Sequence, residues 1–168
     1  MKRILIVGCC GSGKSTLAIA LGKKLNLPVV HLDKLFWREG WVSIPQEEFD
    51  QLLLEELEKE RWIIDGNYGR TMAMRLKRAD TVIVLDFPTI TCLWGVMKRV
   101  ITNYGKTRVD MGDNCPERFD WEFLKFVATF RRKGRKVLFS RLSEVTGKEI
   151  IILKNRRQVK DFIRGTIT

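Results

Sequence analysis

Gly8-Cys9-Cys10-Gly11-Ser12-Gly13-Lys14-Ser15-Thr16 is the stretch that decides the fold. Its fixed positions spell G-x-x-x-x-G-K-[ST]. An apolar, β-branched run, Ile4 to Val7, precedes it, and Leu17, Ala18, Leu21 and Leu25 recur at helical spacing after it. A buried strand, a glycine loop and a helix start therefore follow in order. The glycines let the backbone turn and bring successive N–H groups toward one anion, and the helix N-terminus adds partial positive charge. In that geometry Gly8, Gly11, Ser12, Gly13, Lys14, Ser15 and Thr16 wrap the phosphates of ATP or GTP. Lys14 reaches the β- and γ-phosphates, and Ser15 offers its hydroxyl to Mg2+. Cys9 and Cys10 fill free positions of the motif, where small side chains are tolerated.

Working outward, strands and helices alternate along the chain. The pattern predicts strands at Val29 to Leu32, Trp62 to Ile64, Thr81 to Leu85 and Glu149 to Leu153. It predicts helices from a Ser43-to-Gln46 capping box to about Lys59, from Thr89 to Asn103, from Phe119 to about Val145 with a break near Gly134, and from Arg156 to Arg164. Alternation of this kind gives an α/β protein: a P-loop NTPase fold with a five-stranded parallel sheet sandwiched by helices. The 168 residues fit one domain, 1–168, with a charged, glycine-containing loop at 104–118 as a lid-like insert.

Composition narrows the class. An apolar fraction of 45% supports a core, and no run approaches the length of a membrane span. The apolar run after Met1-Lys2-Arg3 is too short for an export signal, and one histidine with no Cys-x-x-Cys pair argues against structural zinc. Free thiols and a cytoplasmic location are expected. The net charge of +11 implies a polyanionic partner, either nucleic acid or a phosphorylated small molecule. Arg131-Arg132-Lys133-Gly134-Arg135-Lys136 is the densest basic run, with no nucleic-acid-binding signature around it.

A P-loop needs a second acid near the metal, at the end of a neighbouring strand. Asp65, Asp33 and Asp86 each end a predicted strand, on the sheet edge where open α/β folds bind ligands. Asp86, beside Pro88, reads more simply as a turn residue. His31 reads as structural. Trp37 and Trp41 either stack on a substrate ring or plug a gap between sheet and helix.

The P-loop, Ile63-Ile64-Asp65-Gly66 and Leu85-Asp86-Phe87-Pro88 resemble the adenylate-kinase-like branch of P-loop kinases. Three stretches resemble, more narrowly, the bacterial DNA topology modulation (flagellar-regulator-related) protein family. They are His31-Leu32-Asp33-Lys34-Leu35-Phe36-Trp37, Trp62-Ile63-Ile64-Asp65-Gly66-Asn67-Tyr68 and Cys115-Pro116-Glu117-Arg118-Phe119-Asp120-Trp121. The kinase resemblance implies ATP and Mg2+ with Ser15 and Asp65 at the metal, Gly66 giving the substrate access, and Arg70 gripping the acceptor. It matches Arg99, eleven residues past Pro88, to an arginine that binds the transferring phosphoryl group. It places Gly95 where such kinases carry an arginine over the base. It makes 104–118 a lid, from which Lys106 and Arg108 close over the phosphates, and it sets Asp33 beside an acceptor hydroxyl. Lys14, Asp33, Arg99 and Arg108 are then the catalytic set, and Asp33, Arg38, Gly66 and Arg70 face the acceptor. The function expected is an ATP/Mg-dependent phosphotransferase acting on a small molecule, a nucleotide or nucleoside among the options. The rivals are a nucleotide-gated regulator that contacts DNA through the basic helix, and an NTPase switch with no acceptor. Which acceptor, ATP against GTP, and monomer against dimer stay open.

Overall fold

Alternating side chains of the first strand, β1 (Arg3–Gly8), build two separate cores. Ile4 and Ile6 point to one face of the sheet and Leu5 and Val7 to the other, all fully buried. This two-sided burial marks a central strand of a parallel sheet. In the computed structural model, which describes residues 1–166, β1 lies in the middle of five strands. The others are β2 (Val29–His31), β5 (Trp62–Asp65), β6 (Thr81–Leu85) and β7 (Glu149–Leu153), in the order β2-β5-β1-β6-β7, every neighbouring pair parallel.

Helices cover both faces. The helices α1 (Lys14–Leu25), α5 (Thr89–Asn103), α6 (Trp121–Phe130) and α8 (Arg156–Gly165) pack on the Ile4/Ile6 side. The other side carries α3 (Gln46–Glu58), α4 (Met72–Arg78) and α7 (Gly134–Ser143), with Phe49, Leu53 and Leu57 of α3 at helical spacing against it. The side chains of Asp120 and Asn155 cap α6 and α8 by accepting from the N–H groups of Phe123 and Gln158.

Local chemistry departs from expectation between β2 and α3. Strand β2 stops at His31, and Leu32 opens a short helix, α2 (Leu32–Phe36). Two short antiparallel strands follow, β3 (Trp37–Arg38) and β4 (Val42–Ser43). Ser43 pairs with Trp37 in that hairpin, so the Ser43-to-Gln46 capping box does not form; Pro45 precedes α3 with no side-chain cap. Helix α4 has only seven residues and carries no clear periodicity in the sequence. Among the described residues no helix is long and apolar enough to cross a membrane.

Candidate active site

The loop 8–13 turns from β1 into α1 at the C-terminal edge of the sheet. The Ser12 hydroxyl donates to the Cys9 carbonyl at 2.7 Å, and Lys14 Nζ donates to the same oxygen at 3.0 Å. Lys14 therefore lies folded along its own loop, with the first turn of α1 presenting its amides beyond it. Thr16 is exposed on that turn. Burial pushes the Cys10 thiol up, and a hydrogen bond with Cys92 together with burial does the same for Cys9. Neither is a ready nucleophile.

Three residues from three elements meet beside this loop. The Ser15 hydroxyl donates to Asp65 Oδ2 at 2.8 Å, and His31 Nδ1 lies 2.5 Å from Asp65 Oδ1. The register of β2 against β5 places His31 directly opposite Asp65. Burial opposes a charge on His31, but the hydrogen bond and field of Asp65 outweigh it and raise the imidazole above its ordinary value. His31, read from the sequence as structural, grips the acid that also holds Ser15. The hydroxyl and carboxylate are hard oxygen donors, the kind Mg2+ takes while keeping several waters. Ser15 and Asp65 could hold that ion.

Asp33, at the start of α2, comes to the same edge. Tyr68 donates its phenol hydrogen to Asp33 Oδ1 at 2.8 Å. Burial raises the Asp33 carboxyl, the Tyr68 hydrogen bond and the Lys14 charge oppose that rise, and the fields of Asp65 and Arg108 also reach it. The loop after β5 is tied down twice. Asn67 bonds both backbone groups of Gly8, and the buried guanidinium of Arg75 donates to the carbonyls of Gly66, Asn67 and Tyr68. With no carboxylate partner among the described residues, burial and the Arg141 charge draw Arg75 down to about 9. Asn67 and Tyr68 stand in a stretch that carried a resemblance but no role, and an arginine such as Arg75, buried against three carbonyls, leaves no signature in a local pattern.

Arg99 and Arg108 converge on a carboxylate. Arg99 Nε donates to Glu117 Oε1 at 3.0 Å; Arg108 lies 2.9 Å from Glu117 Oε2 and donates to Asp110 at 2.8 Å. Glu117 is buried, in a Cys115–Trp121 stretch quoted above for resemblance alone. The segment 104–118 is latched to the β3–β4 hairpin. Trp41 Nε1 donates to the Pro116 carbonyl, Asn114 to Glu39, the Gly40 N–H to Asn114 O, and Arg118 stacks over the Trp41 ring. Trp37 and Trp41 meet edge to face at 5.6 Å. Trp41 faces the 104–118 loop, whereas the Trp37 ring also meets Phe36 of α2 edge to face at 5.0 Å.

Other expected residues stand elsewhere. Arg38 is exposed and paired with Glu48 at 2.6 Å. Arg70, on the surface, makes a two-pronged pair with Asp50 at 2.5 and 2.7 Å. Neither reaches Asp33. In the direction a side chain at Gly66 would take stands Leu32, whose Cβ would lie 2.9 Å from an added Cβ, so the close packing of α2 needs a glycine here. Gly95 faces the P-loop, and any Cβ there would collide with the Gly11 carbonyl oxygen. A base-stacking arginine is excluded at that position by α5 lying directly on the loop. Asp86 leaves the metal candidates, because Arg135 engages both its oxygens at 2.7 and 2.8 Å. That contact also turns one cation of the basic run inward.

No family model matches the chain. A stretch of 63 residues is 38% identical to a shikimate kinase of Sulfurihydrogenibium sp. (strain YO3AOP1) and spans 36% of this chain and 38% of that enzyme's length. Among solved structures, a shikimate kinase from Acinetobacter baumannii in complex with shikimate superposes with a TM-score of 0.63 at 17% identity, covering 98% of this chain and 89% of that one. Shikimate kinases from Bacteroides thetaiotaomicron and Aquifex aeolicus superpose with TM-scores of 0.52 each, at 20% and 19% identity and over 97% and 96% of this chain. The fold is therefore the five-stranded α/β P-loop fold of the shikimate kinases.

Proposed function

We propose that this protein is an ATP- and magnesium-dependent phosphotransferase whose acceptor is the hydroxyl group of a small molecule. One observation carries the proposal: beside Lys14 of the P-loop, a Ser15–Asp65 oxygen pair and a second carboxylate, Asp33, within reach of the Lys14 charge, come to the same sheet edge. Two acids then have separate tasks. Asp65, aligned by His31, belongs with Ser15 to the metal, and Asp33, aligned by Tyr68, belongs to the acceptor. Bound Mg2+ would offset phosphate charge.

Lys14 and the loop amides bind the nucleotide phosphates. Arg99 and Arg108, held in place by Glu117, supply positive charge at the terminal phosphate, and residues 104–118 act as the lid that excludes water. The acceptor oxygen bonds to the terminal phosphorus, the bond from that phosphorus to the bridging oxygen breaks, and the hydroxyl proton passes to Asp33. A nucleoside or nucleotide acceptor belongs to this proposal, as does shikimate, which the relatives' names put first in any trial. Membership of the DNA topology modulation family, on the three stretches quoted above, is compatible with a kinase site.

The test is phosphate transfer from labelled ATP with magnesium to a panel of nucleosides, nucleotides and hydroxy acids including shikimate. Transfer to a panel member, reduced about 10²- to 10³-fold or more in Lys14→Ala, supports the proposal. Binding of ATP without transfer to any compound points instead to a nucleotide switch.

A further inference from the structure

We propose that the cavity between α6, α7 and the loop after β5 binds a small molecule that has an apolar body and one anionic group. The cavity measures about 350 Å³, inside the range of small-molecule sites. Its wall is mainly apolar: Met72 of α4, Phe126 and Phe130 of α6, and Val137 and Leu138 of α7. None of Lys14, Ser15, Asp33, Asp65, Arg99 and Arg108 lines it. The cavity is thus built from other residues than those given to the nucleotide, the metal and the acceptor hydroxyl.

The chain forms this cavity where α6 ends at Phe130 and α7 begins at Gly134. A Cβ on Gly134 would lie 2.6 Å from the Phe130 ring, so a glycine is what lets that ring lie against the start of α7. Phe126, one turn earlier, meets Phe130 edge to face with 6.2 Å between centroids. Met72 and Leu138 are buried, whereas Phe126 is 48% and Val137 52% exposed. Large apolar side chains left open around a concavity mark a place where an apolar ligand gains by removing them from water. The remaining wall is held in place already. The Asn67 side chain is bonded to both backbone groups of Gly8, and Arg141 donates to the Gly69 carbonyl. A wall fixed in advance keeps the ordering cost of binding low.

Charge selects the ligand. The charged side chains that line the cavity are Lys133 and Arg141, and among the described residues no aspartate or glutamate lines it. Arg131, Arg132 and Lys136, all exposed, stand on the same segment as Lys133. Asp86 reaches that segment through Arg135, which engages both its oxygens, and Glu144 follows the end of α7 outside the lining. A carboxylate or phosphate at this end of the cavity meets opposite charge and gains charge-assisted hydrogen bonds, for which a guanidinium is well shaped. A cationic ligand would meet like charge, and an uncharged one forgoes those bonds. Lys133 is exposed and screened by solvent, so the preference for the anion is expected at about tenfold and not more.

The experiment titrates two probes, 2-naphthoate and 4-phenylbutanoate, and their uncharged amides into the full chain carrying 13C-labelled methyl groups. Excess magnesium and a non-hydrolysable ATP analogue keep the P-loop filled, so that a probe anion does not settle there. The expected result is one carboxylate bound per chain, with shifts at the methyl signals of Met72, Val137 and Leu138, and binding about tenfold tighter than that of the matching amide. Val137→Glu changes an exposed position and sets an acid at the cavity. It should weaken the carboxylate about tenfold or more while the melting temperature holds. Lys133→Glu, a second surface change, should narrow the gap between carboxylate and amide. Failure of both carboxylates to shift these three signals, or shifts confined to other methyl groups, overturns the site. Unchanged carboxylate affinity in a folded Val137→Glu does the same. Amides that bind as tightly as the carboxylates, or a gap that Lys133→Glu leaves as it was, overturn the anionic class of the ligand.

Discussion

Asn67 holds the first residue of the P-loop by both of its backbone groups: the Gly8 N–H donates to its side-chain oxygen at 3.1 Å, and its amide nitrogen donates to the Gly8 carbonyl at 2.8 Å. The side chain thus extends the β1–β5 pairing two residues past the last backbone pair, Ile6 with Asp65. Removing it as Asn67→Ala leaves two partly buried backbone groups without a partner, at a cost of about 1–3 kcal/mol each at most. The loop would lose its anchor as well as the protein some stability. Both a lower melting temperature and weaker nucleotide binding are expected, read by calorimetry on the same samples. A variant that melts lower but binds nucleotide as tightly as before would assign Asn67 to stability alone.

His31 is expected to matter for the metal although it is not placed as a ligand. Its ring fixes Oδ1 of Asp65, leaving Oδ2 toward Ser15. Groups that orient a ligand in this way typically contribute about 10- to 100-fold in metal affinity or activity. His31→Ala should therefore raise the magnesium concentration needed for nucleotide-dependent thermal protection by about that factor. His31→Asn, which keeps a nitrogen donor near the Nδ1 position, should recover part of it. Unchanged magnesium dependence in His31→Ala would sink this role.

Gly95 and Gly11 touch through backbone alone, so Gly95→Ala forces α5 off the P-loop. Overpacking of this sort costs about 1–3 kcal/mol. Here the atom displaced is a carbonyl of the phosphate-binding loop, and nucleotide affinity should fall along with the melting temperature. Restoration of an arginine at 95 should be worse still, the opposite of what its use over a base would give. Wild-type nucleotide binding in Gly95→Arg would show that α5 can move away at little cost.

The Asp86–Arg135 pair sets an acid limb of stability. The Arg135 hydrogen bonds and charge, working against some desolvation, hold the Asp86 carboxyl below its ordinary value of 3.8. A carboxyl lowered on folding stabilises the fold at pH above its unfolded value. That contribution fades as pH falls from about 4 through the lower folded value. Arg135 is about one-third exposed, so solvent screening keeps the term to about 1 kcal/mol or less. Asp86→Asn should lower the melting temperature more at pH 7 than at pH 3. An equal loss at both pH values would mean that packing, and not charge, is what Asp86 supplies.

Much of this protein is legible in its sequence. The phosphate loop, helix α1 and the five strands are written in contiguous residues, because a motif and an apolar period are local properties of the chain. Ile4 to Val7 reads as a strand before any partner is known, and Gly8 to Thr16 reads as a phosphate cradle because nine adjacent residues carry the whole pattern. The missing helices and the β3–β4 hairpin are short pieces whose form depends on what they pack against.

Partner choice is what only the tertiary structure decided. Asp65 could be singled out from its place at a strand end, but its bond to His31 exists because β2 and β5 lie in one register, bringing residues 34 positions apart face to face. Arg70 and Arg38 looked free to grip an acceptor until Asp50 and Glu48 took them on the folded surface. Glu117 gathers Arg99 and Arg108 from separate segments. A charge in a sequence carries its sign, but its counter-charge is set by distance in the fold, and electrostatic attraction acts through that distance and not along the chain.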